Sequence, residues 1–82
     1  MTQVEAIIDA FQNLGGARTA SEIEEWVVSN YGSRWKDFST PMDEMVPVSH
    51  GGNNISTIPD YFRVLTRVEK GRYSLIEEKD FF

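Results

Sequence analysis

The sequence contains no cysteine, a single histidine and only three prolines in 82 residues. Without cysteine there is no disulfide framework and no thiolate metal site, and His50 alone gives no recognisable zinc spacing. No apolar run approaches the roughly 20 residues that a membrane-spanning helix needs, and the first residues lack the pattern of a signal peptide. We therefore predict no metal, no cofactor and no membrane association, and a cytoplasmic location fits best.

Catalytic signatures are also lacking. There is no Ser/Cys–His–Asp pattern, no GxGxxG and no P-loop, and the pairs Gly15-Gly16 and Gly51-Gly52 are too short to cradle a phosphate. The acidic pairs Glu24-Glu25 and Asp43-Glu44 are adjacent in sequence and therefore point to different helix faces. These absences predict that the protein is not an enzyme.

The charge is acidic overall but unevenly distributed. The net charge is −5, which argues against unspecific affinity for nucleic acids, because Lys and Arg contacts to phosphates supply that affinity. Residues 1–33 carry one basic and five acidic side chains, a net −4, whereas residues 61–72 carry four basic and one acidic, a net +3. Residues 73–82 sum to −2. A local basic surface can act even when the total charge has the opposite sign.

The length predicts one domain over residues 1–82, with a core of about 3–76 and a short charged tail at 77–82. So short a chain buries only a small core, so its aromatic side chains are needed inside. We therefore favour core positions for one set of aromatic residues over an exposed patch for a partner or for stacking on bases: Trp26, Tyr31, Trp35 and Phe38.

Two amphipathic helices open the chain. Apolar residues recur at spacings of three and four over residues 2–14, and Thr2 and Glu5 have the spacing of a capping box. Gly15-Gly16 ends this helix. Thr19 and Glu22 repeat the capping spacing before a second helix that Gly32 closes. The stretch between the two helices could also lie extended against a later strand.

A third, short helix is predicted after residue 39. In TPMDEMV, Thr40 acts as the cap, Pro41 takes the first position and Asp43 lies in the first turn. Met42, Met45 and Val46 then face inward, and Pro47 limits the helix. Trp35 and Phe38 are expected to plug the core from the preceding segment.

The last part of the chain reads as a hairpin. Residues 62–68 are β-branched and apolar with interleaved arginines, which is typical of a strand. EKGR turns the chain at Gly71, and YSLI returns. The fold class is therefore α+β. Three helices followed by a two-stranded hairpin is the order of a winged helix-turn-helix, and a short strand near 17–19 would complete its sheet.

Specific runs extend this likeness. TASEIEEWV, STPMDEMV and FRVLTRVEKGRYSLI resemble HARE-type helix-turn-helix modules, and more closely small prokaryotic winged-helix proteins whose last hairpin reads roughly vL-x-R-V-x-x-G-x-Y-x-L. The resemblance covers about residues 3–76, and the hairpin pattern falls on Leu65, Arg67, Val68, Gly71, Tyr73 and Leu75. These motifs are mostly structural. The resemblance implies binding to double-stranded DNA, as in transcription regulation, or to a partner inside a DNA-handling complex, and it implies no catalysis.

The candidate DNA-binding residues lie on the wing, in the 49–57 loop and around the third helix. Basic side chains would hold phosphates, while polar side chains and the start of the third helix would approach the backbone or base edges. The candidates are Arg34, Lys36, Thr40, His50, Asn53, Asn54, Arg63, Arg67, Lys70 and Arg72.

Each of these groups has a second interpretation. The hairpin arginines could instead lie on a solvated sheet face and pair with the acidic helices or with Glu77 and Glu78, as charged hairpins do to prevent edge pairing. The loop at 49–57 could simply cap and turn itself. Alternation along the strand would put Arg63 and Arg67 on the face of Leu65.

One departure concerns the third helix, which enters the major groove in helix-turn-helix proteins. Here it carries Asp43 and Glu44 and no cation, which disfavours phosphates unless Arg34 and Lys36 compensate.

The alternative is a protein-interaction winged helix that docks through its acidic face or an apolar patch. Phe81 and Phe82 could be frayed, pack on the first helix or form a homodimer contact.

Overall fold

A computed structural model describes residues 1–52 and 58–76. The chain forms α1 (Gln3–Leu14), β1 (Arg18–Thr19), α2 (Ala20–Tyr31), α3 (Ser39–Glu44), β2 (Leu65–Glu69) and β3 (Arg72–Leu75), with 3-10 turns at Val48–His50 and Asp60–Phe62. Within these residues the architecture is α+β, with three α-helices and a three-stranded antiparallel sheet in the order β1-β3-β2.

Both capping boxes predicted from the sequence are present. The Thr2 side chain accepts from the backbone N–H of Glu5, and the Glu5 carboxylate accepts from the backbone N–H of Thr2. Thr19 and Glu22 make the same exchange at the start of α2. These exchanges satisfy amides that a helix start leaves without intrahelical partners. They therefore fix where α1 and α2 begin.

The predicted strand near 17–19 is confirmed. Arg18 pairs with Tyr73 and Thr19 with Arg72, so β1 lies against β3. Because Thr19 is also the cap of α2, the start of that helix is tied to the end of the hairpin.

One core joins the helices to the sheet. The apolar stripes of α1 and α2 meet the inward side chains of the α3 region, with Met42, Met45 and Val46 each fully buried as predicted. Phe38 is buried and Trp35 packs against the same cluster, so the predicted plug before α3 is confirmed. Trp26 and Tyr31 also pack against this core, half-buried.

The first strand of the hairpin begins later than predicted. Phe62 belongs to a 3-10 turn and β2 starts at Leu65, because Pro59 and the turn after it keep residues 60–62 out of the ladder: the Phe62 N–H bonds back to the Pro59 carbonyl at 2.9 Å. Simple alternation also fails near the tip, where Arg67 pairs with Tyr73 and Glu69 pairs with the adjacent Arg72. Val68 is the extra residue of this bulge, and it is 51% exposed.

Candidate nucleic-acid interface

The start of α3 is organised by Asp37, and the predicted cap at Thr40 is wrong. Phe38 occupies the cap position, and the Asp37 carboxylate accepts from the Thr40 backbone N–H at 3.3 Å and from the Ser39 hydroxyl at 3.2 Å. The hydrogen bonds from Thr40 are the main reason that the pKa of Asp37 lies below its usual value. The helix starts earlier than predicted, so Pro41 is its third residue rather than its first. Proline is tolerated there because the N–H groups of a helix's first turn have no intrahelical acceptor.

This arrangement changes two expectations about α3. The Thr40 amide that a phosphate would need already donates to the Asp37 carboxylate, while the Thr40 side chain is exposed. Asp43 lies in the last turn of this six-residue helix rather than the first.

Two cations precede α3. The Arg34 guanidinium lies over the Trp35 ring, with its central carbon 5.0 Å from the ring centroid. Arg34 and Lys36 are exposed, and within residues 1–52 and 58–76 neither makes an ion pair. The Gln3 side-chain amide donates to the Asp37 carbonyl at 2.6 Å and ties this loop to the start of α1. Arg34 and Lys36 are thus held beside the N-terminal end of α3 with their charges available to solvent.

Arg67 lies at the other end of α3. One guanidinium nitrogen is 3.2 Å from the Asp43 carboxylate, and the other donates to the Gly51 carbonyl at 3.3 Å. The Tyr73 hydroxyl donates to the same carboxylate oxygen. Burial, reinforced by the hydrogen bond to Asp43, raises the pKa of Tyr73. These contacts attach the base of the hairpin to α3 and to the turn that follows it.

The hairpin tip carries Lys70 and Arg72. Gly71 has φ +77° and makes the turn, as predicted. Arg72 is 2.9 Å from the Glu69 carboxylate and 3.9 Å from that of Glu22. Lys70 is exposed and has no ion-pair partner among the residues that the structure describes. At the tip, then, Lys70 keeps its charge available while Arg72 is matched by carboxylates.

Arg63 does not belong to this surface. It precedes β2, only 7% of it is exposed, and it donates to the Val46 carbonyl at 2.8 Å. The strand starts too late to carry it outward, so the segment before Leu65 packs its guanidinium against the end of the α3 region. The predicted phosphate contact by Arg63 is therefore wrong.

The turn after α3 is described only in part. His50 and Ser49 are exposed, and the Ser49 hydroxyl lies 3.0 Å from His50 Nδ1. Asn53 and Asn54 lie outside the described residues, as do the rest of the loop to 57 and the tail at 77–82. The predicted pairing of hairpin arginines with Glu77 or Glu78 falls there too.

The described cations do not form an unbroken positive face. Arg67 and Arg72 pair with acidic residues on α3 and α2, which is the second interpretation of the hairpin. The cations without a described ion-pair partner are Arg34, Lys36 and Lys70. Arg67, which lies between Lys36 and Lys70 in the sequence, is half-exposed although it is paired with Asp43. We call Arg34, Lys36, Arg67 and Lys70 the flanking cations, because they precede and follow α3.

Sequence reasoning placed Asp43 on the third helix without its partners, and it did not consider Asp37 at all. Asp37 could have been found, since an acidic residue just before a helix start is a common capping signal. The contacts of Asp43 could not, because its partners Arg67 and Tyr73 are 24 and 30 residues away.

Other kinds of site have little support in the described residues. No group of three or more His, Cys, Asp or Glu side chains there could hold a metal ion. Over 1–52 and 58–76, no helix has the length and apolar content that crossing a membrane requires.

Comparisons with protein-family models, with curated proteins and with solved structures gave no significant match. The likeness to winged-helix proteins therefore remains an expectation, and the residues around α3 are the basis for a proposed function.

Proposed function

We propose that the chain is a winged-helix DNA-binding domain, acting in transcription regulation or within a DNA-handling complex, and that it holds duplex DNA through the flanking cations. The element order and the sheet order β1-β3-β2 support the winged-helix assignment. In such a fold α3 faces the major groove and the β2–β3 hairpin is the wing.

The observation that carries this proposal is the position of cations at both ends of α3. Arg34 and Lys36 come just before the helix, and Arg67 contacts Asp43 in its last turn. Six residues of helix span about 9 Å, which is comparable to the roughly 12 Å width of the major groove. Cations at both ends of such a helix suit phosphates on the two sides of one groove.

The acidic character of α3 means that the helix itself does not supply affinity for phosphates. Because the helix itself carries Asp43 and Glu44, affinity comes from the flanking cations, which contact phosphates without reading sequence. On a mixed-sequence duplex, three of them, Arg34, Lys36 and Lys70, are not neutralised by a described carboxylate, so affinity should fall about fortyfold between about 50 and 200 mM salt.

The test is fluorescence anisotropy of a labelled mixed-sequence duplex at those two salt concentrations. Lys36→Gln with Lys70→Gln removes two positive charges that make no described ion pair, and should remove about two-thirds of the salt dependence. Gln12→Glu with Ser29→Glu changes the net charge by the same amount at exposed positions of α1 and α2, and should have a much smaller effect. No binding by the wild type at low salt, or equal losses in the two double variants, would refute the proposal.

A groove between α1 and the hairpin favours a second candidate, a protein-interaction domain. The groove encloses about 460 Å³ and its lining includes Phe11, Ala17, Val68 and Leu75. Val68 in this lining is 51% exposed, and grooves with apolar walls can accept the apolar side chains of a peptide. Under this alternative the wild type does not bind DNA. Displayed peptides selected for binding to the wild type should not bind the Val68→Asp variant. They should still bind the Lys36→Gln, Lys70→Gln double variant.

A further inference from the structure

Arg67 forms an ion pair with Asp43. In the proposed function Arg67 contacts a phosphate, and Asp43 lies on the helix that faces the groove. Their charged atoms are 3.2 Å apart, and the two side chains are 41% and 50% exposed. An ion pair this open to solvent contributes at most about 1 kcal/mol to stability. It is therefore weak enough to be exchanged when a stronger partner for either group arrives.

The pair also has geometry that would survive such an exchange. Arg67 keeps a second bond to the Gly51 carbonyl, and Asp43 keeps the hydrogen bond that the Tyr73 hydroxyl donates. Each side chain therefore remains positioned by the fold after the two separate. Neither group has to search for its orientation.

While the pair is closed, it weakens binding to any phosphate backbone. The carboxylate cancels most of the field of the guanidinium, and it repels a phosphate that approaches within a few ångströms. Opening is favourable only where the DNA offers the carboxylate a donor of its own. The major groove offers amino donors on adenine and on cytosine, and a carboxylate suits cytosine better because the adenine amino group lies beside the N7 acceptor.

We propose that Asp43 is a specificity-determining residue that gates Arg67: it suppresses sequence-independent binding and releases Arg67 to a phosphate where a cytosine amino group takes its place. This inference rests on the proposed function, because it assumes that α3 faces the major groove. It adds a ligand for Asp43 and a reason for an acidic residue on that helix.

The test replaces Asp43→Asn and measures anisotropy on a mixed-sequence duplex. Asparagine keeps an oxygen acceptor for the Tyr73 hydroxyl but removes the charge that holds Arg67. Affinity should rise about tenfold, and the salt slope should steepen by about 0.9, the value of one added phosphate contact. Glu44→Gln is the matched control, because it removes the same charge from the next residue and should change affinity much less.

A second variant tests whether the effect passes through Arg67. In an Arg67→Gln background, Asp43→Asn should no longer raise affinity, because the cation it releases is gone. A gain that persists there is a general charge effect and overturns the gate.

Sequence preference gives an independent readout. A duplex selected for binding to the wild type should contain a cytosine whose replacement weakens binding about tenfold or more in the wild type and hardly at all in Asp43→Asn. If the wild type binds DNA but this difference is missing, the gate is wrong and the proposed function stands. If no variant binds DNA at low salt, both are wrong.

Discussion

Among the glycines, Gly52 is the one that leaves no room for a single added carbon. A Cβ at this residue would lie 2.8 Å from the Pro47 carbonyl oxygen and 2.6 Å from the Val46 carbonyl carbon, with its oxygen closer still. Both neighbours are backbone atoms, so no side chain can rotate away. The Gly52 N–H also donates to the Pro47 carbonyl at 2.9 Å, which fixes the two segments together.

Gly52→Ala should therefore cost about 3 kcal/mol, the upper end for forcing a methyl group into a packed site. Gly51→Ala is the comparison. Gly51 has φ +88° and nothing within 4 Å of an added Cβ, so only the strain of the left-handed backbone remains, about 1 kcal/mol. The two neighbouring glycines thus separate steric overlap from backbone strain.

The assay is urea unfolding followed by tryptophan fluorescence, with the slope m checked for constancy so that the midpoint reports stability. A second readout is DNA affinity at low salt, because a displaced turn also moves the Gly51 carbonyl that holds Arg67. The reasoning is refuted if Gly52→Ala is as stable as the wild type, or if it is destabilised no more than Gly51→Ala.

The remaining predictions concern helix starts and pH. Thr19→Ala should lower the free energy of unfolding by about 1 kcal/mol, because it removes the cap of α2. Thr40→Ala should change it by less than about 0.5 kcal/mol. Equal losses in urea unfolding would contradict the conclusion that Asp37, and not the Thr40 side chain, organises the start of α3. Backbone hydrogen bonds from Thr2 and Thr19 lower the pKa of Glu5 and Glu22. The stabilisation that these carboxylates provide is therefore present above their unfolded-state pKa and is lost as pH falls through the lower folded-state pKa. Glu22→Gln should flatten that acid limb in thermal unfolding measured against pH; an unchanged limb would contradict it.

Local sequence patterns were sufficient to predict those elements that are stabilised by their own residues. The capping boxes at Thr2 and Thr19 join residues three apart, so spacing alone locates them. The buried positions Met42, Met45 and Val46, in and just after α3, follow from the spacing of apolar residues, and Gly71 marks the hairpin turn. Even the short β1 could be anticipated, because the residues before a capped helix are extended.

Predictions failed where a partner far along the chain decided the outcome. Arg63 reads as a strand residue on a wing, yet it is buried against Val46 because β2 begins only at Leu65. Val68 breaks the alternation because a bulge displaces it, and no local pattern marks that bulge.

The sequence by itself determined an α+β chain with two capped helices, a short third helix and a basic hairpin, since hydrophobic period, capping and turn residues act over a few positions. Only the tertiary structure decided which charges are available to a ligand. Whether an arginine faces solvent, the core or a carboxylate depends on distant segments, as Arg67 and Asp43 illustrate. That pairing is fixed by the packing of the hairpin against α3, and a charge count along the chain does not reveal it.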